Sequence, residues 1–258
     1  MTVVVAFLCA DGVVVAGDSM LTPRVGGISV GHHKGVKVDI LQGPQVFAFA
    51  GDLGLAARFK IMADGSHALA AQVQHPIDYP ITLTKALVAQ FKGTGVGDPI
   101  DLGTVLAFKH GESHHCCVFE GRIQPRLLEE HHYYVALGSG KLSADPFLRF
   151  LVEIFCRQGR PIVREAVFLA AWTIQHAIET APGGVAGPIR IATFEPDGAG
   201  GYQARSLPDD EIAEHQQAME SAADALRAWR DGLQSGEAAE GVPEPPQSPP
   251  EKQTAGEH

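Results

Sequence analysis

The chain has 258 residues, of which 45% are hydrophobic, so it is long enough to bury a substantial core. Its 20 basic and 30 acidic residues give a formal net charge of -10, which disfavours nucleic acid and anionic membranes as partners. The four cysteines form no CxxC pair, residues 2–9 lack a basic leader, and no apolar run approaches the ~18 residues of a membrane span. We therefore expect a cytoplasmic protein with reduced cysteines.

The chain opens with two β-branched runs, TVVVAFLC and VVVAGDS, separated by Ala10-Asp11-Gly12. Asp-Gly between two such runs is a strong signal for a β-hairpin. A second pair of strands is predicted over 36–41 and 45–50, around a turn at 42–44. Four strands therefore precede the first predicted helix.

After Gly51 the apolar residues recur at helical spacing, which predicts a helix lined by Leu53, Leu55, Ala56, Phe59 and Met62. The later segments alternate between groups of helices and groups of strands. Helices are predicted over 83–91, 142–157, 161–179 and 209–230, and strands over 102–109, 115–119, 133–137 and 188–194.

This grouping differs from the strict βαβ alternation of a doubly wound fold. It predicts an α+β fold, specifically a four-layer αββα sandwich of two antiparallel sheets flanked by helix pairs. We expect one domain over residues 1–232, which includes the acidic helix at 209–230. Residues 233–258 are rich in Pro and Glu and are predicted to be a disordered tail.

Thr2 is the first candidate for chemistry. A small second residue is what methionine removal tolerates, so loss of Met1 would leave Thr2 with a free amine beside its own hydroxyl. Such an amine has a pKa near ~8 and can serve as a base for that hydroxyl. Because Thr2 begins a predicted buried strand, its amine would be held in the fold.

At this point the sequence resembles the N-terminal nucleophile (Ntn) hydrolases, specifically proteasome β subunits and the bacterial HslV peptidase. The resemblance runs from Thr2 to about Gly200. It is carried by Thr2 with VVVAFLCADGVVVAGDS, by KVDIL with VFAFAGDLG, and by ALGSG. It implies the Ntn-hydrolase fold and an N-terminal threonine nucleophile.

The same resemblance implies an aspartate and a lysine that support the nucleophile. Asp18 lies sixteen residues after Thr2 (18 minus 2), as in that family, where the aspartate orients a lysine. Gapless spacing points to Lys34, whereas the strand pattern points to Lys37, which lies fourteen residues before Gly51 (51 minus 37). We favour Lys37, which implies about three extra residues in the loop from Thr22 to Val36. A solvated lysine at a strand edge is the plain alternative.

Gly51, by the same resemblance, would direct its backbone N–H at a developing oxyanion. Thr22 occupies the position at which family members pair the substrate backbone with a strand edge. The residues expected to line a side-chain pocket are apolar, which suggests an apolar residue before the cleaved bond; they are Met20, Leu21, Phe49 and Leu53. Ordinary core packing is an equal alternative for each of these four.

Ser139, in Gly138-Ser139-Gly140, matches the family's serine that helps hold the amine. Aligned on the Gly-Gly pair at 183–184, the chain has Glu179 where the family has an aspartate and Pro182 where it has a second serine. Proline offers no hydroxyl, so this departure bears on how well the amine is activated.

The histidine pairs of the chain do not predict a metal site. Adjacent residues on a strand point to opposite faces, so neither His32-His33 nor His114-His115 can chelate one ion by itself. No cofactor is expected.

The resemblance thus predicts a threonine-type endopeptidase that acts on peptide or protein substrates. It also implies a homo-oligomeric ring, hexamer or heptamer, and an ATP-dependent unfoldase as a partner. Two alternatives stay open at this point. One is a catalytically silent ring subunit or scaffold, and the other is an Ntn amidohydrolase that acts on a small amide.

Overall fold

The computed structural model describes residues 2–22, 24–25, 28–29, 31–94, 102–181 and 184–235. Its helices are α1 (Leu53–Ser66), α2 (Asp78–Thr94), α3 (Lys141–Phe155), α4 (Val163–Thr180) and α5 (Asp209–Ser235). Its strands are β1 (Val4–Leu8), β2 (Val13–Gly17), β3 (Met20–Leu21), β4 (Arg24–Val25), β5 (Ile28–Ser29), β6 (His33–Lys34), β7 (Val38–Leu41), β8 (Gln45–Gly51), β9 (Leu102–His110), β10 (Ser113–Glu120), β11 (Gln124–Leu127), β12 (Tyr134–Leu137), β13 (Arg190–Pro196) and β14 (Tyr202–Ser206).

Two five-stranded antiparallel sheets form the centre of the fold. The first has the strand order β12-β1-β2-β13-β14, and the second has the order β11-β10-β9-β8-β7. Both predicted hairpins are present: β1 pairs with β2 across the Asp-Gly turn, and β7 pairs with β8. The α+β class with antiparallel sheets is therefore confirmed.

The core has one layer between the sheets and another beneath the second sheet. On β8, Val46 and Ala48 face the first sheet, whereas Phe47 and Phe49 face α1 and α2. This alternation follows from the two-residue period of a strand. On β1, every residue from Val4 to Leu8 is buried, because α4 covers the face that the second sheet does not. Burial on both faces explains the unbroken apolar run in the sequence.

The helices that flank the sheets come in pairs. α3 packs on α4, and α4 contacts β1, β2 and β13 of the first sheet. α1 packs on α2 and contacts β7, β8 and β9 of the second sheet. α1 begins at Leu53 because the Asp52 carboxylate accepts a hydrogen bond from the Leu55 N–H at 2.9 Å, which caps the helix. No helix in the described ranges is both long and apolar enough to cross a membrane.

The chain divides into two compact units, residues 1–215 and 216–258, with the boundary inside α5. The first unit holds both sheets and α1 to α4. The described part of the second unit, 216–235, is helical. The predicted tail, apart from residues 233–235, lies outside the described residues, as does the proline at 182.

Candidate active site

Thr2 lies just before β1 and is held by the loop that follows β12. The Gly140 N–H donates to the Thr2 carbonyl oxygen at 2.9 Å, and the Thr2 backbone nitrogen lies 3.3 Å from Ser139 Oγ, to which it donates. Antiparallel pairing of β1 with β12 produces this contact, since Val4 lies opposite Leu137 and continuation of the register puts Thr2 opposite Ser139. The structure thus brings Ser139 and Thr2 together.

The two glycines around Ser139 allow the loop to approach Thr2 closely. Gly138 has a φ of +86°, a conformation that favours glycine, and a Cβ on it would overlap the Thr2 carbonyl group. A Cβ on Gly140 would lie 2.9 Å from the Val3 Cβ, which is closer than such atoms pack. Any side chain at either position would therefore push Ser139 away from the Thr2 nitrogen.

Replacing Gly138 with alanine is expected to lower the free energy of unfolding by about 3 kcal/mol, because backbone strain and crowding add together. The matched control is Gly200→Ala, since Gly200 has a φ of +88° but no atom within 4 Å of the point that a Cβ would occupy. The control is expected to lose only about 1 kcal/mol, the cost of the conformation. Denaturant unfolding measures both, and equal losses would contradict close packing of Gly138 on Thr2.

Asp18 and Lys37 form a buried ion pair on the other side of Thr2. Lys37 Nζ donates to both carboxylate oxygens of Asp18, at 2.8 and 2.9 Å, and each residue is 1% exposed. The backbone N–H groups of Val3 and Met20 donate to the same carboxylate at 2.9 and 3.1 Å. The Asp18 carboxylate therefore connects Val3, the residue after Thr2, to Lys37.

Burial lowers the pKa of Lys37 below the ordinary value for lysine, and the adjacent Asp18 carboxylate acts in the opposite direction. The lysine is thus easier to deprotonate than a solvated one, while Asp18 keeps it in place.

The structure also distinguishes the two candidate lysines. Lys34 is exposed on β6, where it pairs with Met20 of β3 in a small two-stranded sheet. Lys37 directly precedes β7, and its carbonyl oxygen accepts a hydrogen bond from the Phe49 N–H at 3.1 Å. Of the two, Lys37 is therefore the residue that lies against Asp18.

Gly51 ends β8 at the same corner of the molecule. Its φ is +120°, which favours glycine, and the residue is exposed. Its neighbour Ala50 lies 3.1 Å from the place that a Cβ on Gly138 would occupy. The end of β8 therefore lies close to the loop that holds Thr2.

The predicted pocket residues divide between the core and the surface. Met20 and Phe49 are buried, and Phe49 belongs to the core beneath the second sheet, against which Leu21 also packs. Thr22 is partly exposed, and Leu53 is 52% exposed at the start of α1. Leu21 and Phe49 are thus the pair that the structure brings into one cluster.

Glu179 lies on the exposed side of α4, near its end. Its carboxylate accepts a hydrogen bond from Gln175 Nε2, one turn earlier, at 2.7 Å. Within the described part of the chain, no hydrogen bond joins Glu179 to Thr2 or Ser139. The helical i, i+4 spacing of Gln175 and Glu179 explains this local partner.

Sequence reasoning passed over Ser19, which lies between Asp18 and Met20 and is 3% exposed. Its position directly after Asp18 is the one signal in the sequence that could have selected it. The described residues contain no group of three or more His, Cys, Asp or Glu side chains arranged to hold a metal ion.

The α+β fold of this chain is also found in solved structures of other proteins. It is similar to the structure of Anbu (ancestral beta-subunit) from Yersinia bercovieri, with a TM-score of 0.68 and 13% identity over 88% of this chain and 97% of that one. It is also similar to an Anbu (Gly-1) mutant from Hyphomicrobium sp. strain MC1, with a TM-score of 0.67 and 15% identity over 91% of this chain and 100% of that one. Neither a family model nor a curated protein matches the sequence.

These neighbours correct the family that the sequence suggested. The resemblance pointed to proteasome β subunits and the HslV peptidase, whereas the similar structures are those of Anbu (ancestral beta-subunit) proteins. The motifs behind the resemblance are short, and their spacing follows the shared strand order, so they do not separate families with one fold. At 13–15% identity, the likeness itself shows the fold alone.

Proposed function

We propose that this protein is a threonine-type hydrolase of peptide bonds, with Thr2 as nucleophile after removal of Met1. The observation that carries the proposal is the position of Thr2 between two polar groups. The Ser139 hydroxyl lies 3.3 Å from the Thr2 nitrogen, and Asp18 binds both the adjacent Val3 N–H and the buried Lys37. A hydroxyl nucleophile with an adjacent amine as its base, supported by a lysine and a carboxylate, suits nucleophilic catalysis.

In the proposed reaction, the Thr2 hydroxyl attacks the peptide carbonyl carbon while the Thr2 amine accepts the hydroxyl proton. Lys37, whose pKa is lowered by burial, keeps that amine in its basic form, and Asp18 and Ser139 hold the two groups in position. The backbone N–H of Gly51 stabilises the oxyanion. The amine then passes its proton to the leaving nitrogen, so that the C–N bond breaks and an ester forms on Thr2.

Water completes the cycle. The amine takes a proton from the water molecule, which attacks the ester carbonyl, and returns the proton to the Thr2 oxygen as the C–O bond breaks. The carboxylic acid product leaves and the free hydroxyl is restored. Glu179 has no step in this scheme, because its carboxylate is bound to Gln175 on the exposed side of α4.

The substrate in this proposal is a peptide with an apolar residue before the cleaved bond. Leu21 and Phe49 pack in one apolar cluster, and Met20 is buried beside the Asp18 carboxylate that its N–H binds. Thr22 would pair with the substrate backbone, and the exposed Leu53 would close the pocket. The α3–α4 and α1–α2 pairs on opposite sheets support the four-layer sandwich as the frame of this site.

Assembly into a ring, with an ATP-dependent unfoldase as partner, forms part of the proposal. Its support is the exposed apolar surface of α3, where four large side chains are about half exposed or more: Leu142, Phe150, Ile154 and Phe155. Large exposed apolar patches mark interaction surfaces. The four cysteines are free thiols, as expected of the cytoplasmic location proposed here.

The decisive experiment is mass spectrometry of the purified protein before and after incubation with a peptide epoxyketone, which bridges a terminal amine and its adjacent hydroxyl. We expect loss of Met1 and a single adduct on Thr2. Native mass spectrometry of the same sample counts the copies in the assembly. Retained Met1 or unmodified Thr2 would overturn the proposal in favour of a silent subunit, and an adduct without peptide cleavage would favour an amidohydrolase for small amides.

A further inference from the structure

Every polar group of Ser19 makes a hydrogen bond, and these bonds connect the residue to two separate segments of the chain. Its hydroxyl donates to the Pro188 carbonyl oxygen at 2.6 Å, and its N–H donates to the Ala186 carbonyl oxygen at 3.1 Å. Its own carbonyl oxygen accepts a hydrogen bond from the Gly35 N–H at 2.8 Å. One segment is the connection from α4 to β13, and the other leads into Lys37.

These contacts place Ser19 at the point where the parts of the candidate site meet. Asp18, the preceding residue, binds Lys37 Nζ, while Ser19 binds the backbone two residues before Lys37. The pairing of Val4 with Gly17, continued by two residues, puts Ser19 opposite Thr2. Two consecutive residues between β2 and β3 thus bind the backbone at Gly35 and the side chain of Lys37.

We propose that Ser19 is a positioning residue, whose hydroxyl holds the α4–β13 connection against the strand and so fixes the Asp18–Lys37 pair relative to Thr2. The inference rests on the proposed function of Thr2. Asp18 and Ser19 connect β2 to β3, and their side chains have different partners: the Asp18 carboxylate binds Lys37, whereas the Ser19 hydroxyl binds Pro188. Ser19 therefore acts through Asp18 and Lys37.

The hydroxyl matters because the environment of Ser19 is closed to water. The residue is 3% exposed, so its removal would leave the Pro188 carbonyl oxygen without this donor in a place where water cannot replace it easily. The remaining bond from the Ser19 N–H to Ala186 would let the connection pivot. The Asp18–Lys37 pair would then lose a fixed support on one side.

The test compares Ser19→Ala with the unmodified protein by two measurements on the full chain. The first is the rate of epoxyketone modification of Thr2 as a function of pH. The second is an NMR pH titration that follows the resonance of the Lys37 Cε. This resonance is assigned because it is missing from the spectrum of Lys37→Met. We expect Ser19→Ala to slow modification about tenfold at every pH. We also expect the midpoint of the Lys37 titration to rise by about half a pH unit, nearer that of ordinary lysine, because burial is the larger of the two effects on the Lys37 pKa and decreases when the pair is no longer held in place.

The matched control is Ser66→Ala, which removes a hydroxyl bound to a backbone carbonyl at the same 2.6 Å, in α1. Ser66 is only partly buried and its acceptor lies in the same helix, so its loss is expected to cost less stability and to change neither measurement. If Ser19→Ala behaves as Ser66→Ala does, the positioning role is overturned. If Thr2 of the unmodified protein does not react, the proposed function fails, and the Lys37 midpoint then decides the role of Ser19 alone.

Discussion

Replacing Lys37 with methionine is expected to lower the free energy of unfolding by about 3–5 kcal/mol. The substitution keeps most of the side-chain volume, so the loss comes from leaving the Asp18 carboxylate, 1% exposed, without its cation. The N–H groups of Val3 and Met20 would still donate to Asp18, but neutral donors compensate a buried charge only in part. Denaturant unfolding at neutral pH measures the effect.

The control that separates stability from catalysis is the double variant Asp18→Asn with Lys37→Met. It removes both charges and keeps one amide oxygen, which can accept from either the Val3 or the Met20 N–H, so part of the lost stability should return. Modification of Thr2 by the epoxyketone should remain lost in the double variant, because no lysine supports the amine. A loss below about 1 kcal/mol for Lys37→Met alone would show that this pair is not an essential part of the buried structure.

Replacing Thr2 with alanine is expected to reduce peptide hydrolysis by at least about 1,000-fold, because the attacking oxygen is removed while the amine stays. Thr2→Ser keeps the oxygen and should keep measurable activity. The Thr2 side chain is only partly buried and precedes β1, so the free energy of unfolding should change by about 0.5 kcal/mol or less. Initial rates on an apolar fluorogenic peptide, with unfolding curves for each variant, test both expectations.

Thr82→Ala is the matched control for this series. Thr82 is exposed on α2, and its hydroxyl donates to the Asp78 carbonyl oxygen at 2.8 Å, away from the Thr2 corner in sequence and sheet. Its loss should leave hydrolysis unchanged. Hydrolysis that survives in Thr2→Ala at the level of the Thr82→Ala control would assign the activity to another group or to a contaminant.

Much of the fold could be predicted from local patterns. The β-branched runs on either side of Asp11-Gly12 form the β1–β2 hairpin, and the helical spacing after Gly51 forms α1. The strands that the sequence did not reveal are short or polar, namely β11 and β14, together with the β3–β6 and β4–β5 pairs. On β14, residues 202–206 are partly or fully exposed, so no apolar alternation marks the strand.

Some residues of the candidate site could be predicted because the sequence immediately around them is unusual. Gly138 and Gly140 stand out because they flank a serine directly after a buried strand, and Asp18 stands out because it directly follows another buried strand. The sequence did not predict the hydrogen-bond partner of Glu179. That partner is Gln175, one helical turn earlier on the same helix. The family itself was misassigned, since short motifs follow a fold more closely than they follow one family.

By itself, the sequence determined the strand and helix periods, the two opening hairpins, and the residue types gathered near Thr2, because these depend on neighbours along the chain. Only the tertiary structure decided that Lys37, and not the exposed Lys34, is buried against Asp18. That choice depends on which lysine the fold brings within reach of the Asp18 carboxylate, because a buried charge is costly unless an opposite charge pairs with it. Such a cost arises only when segments distant in sequence close around the pair.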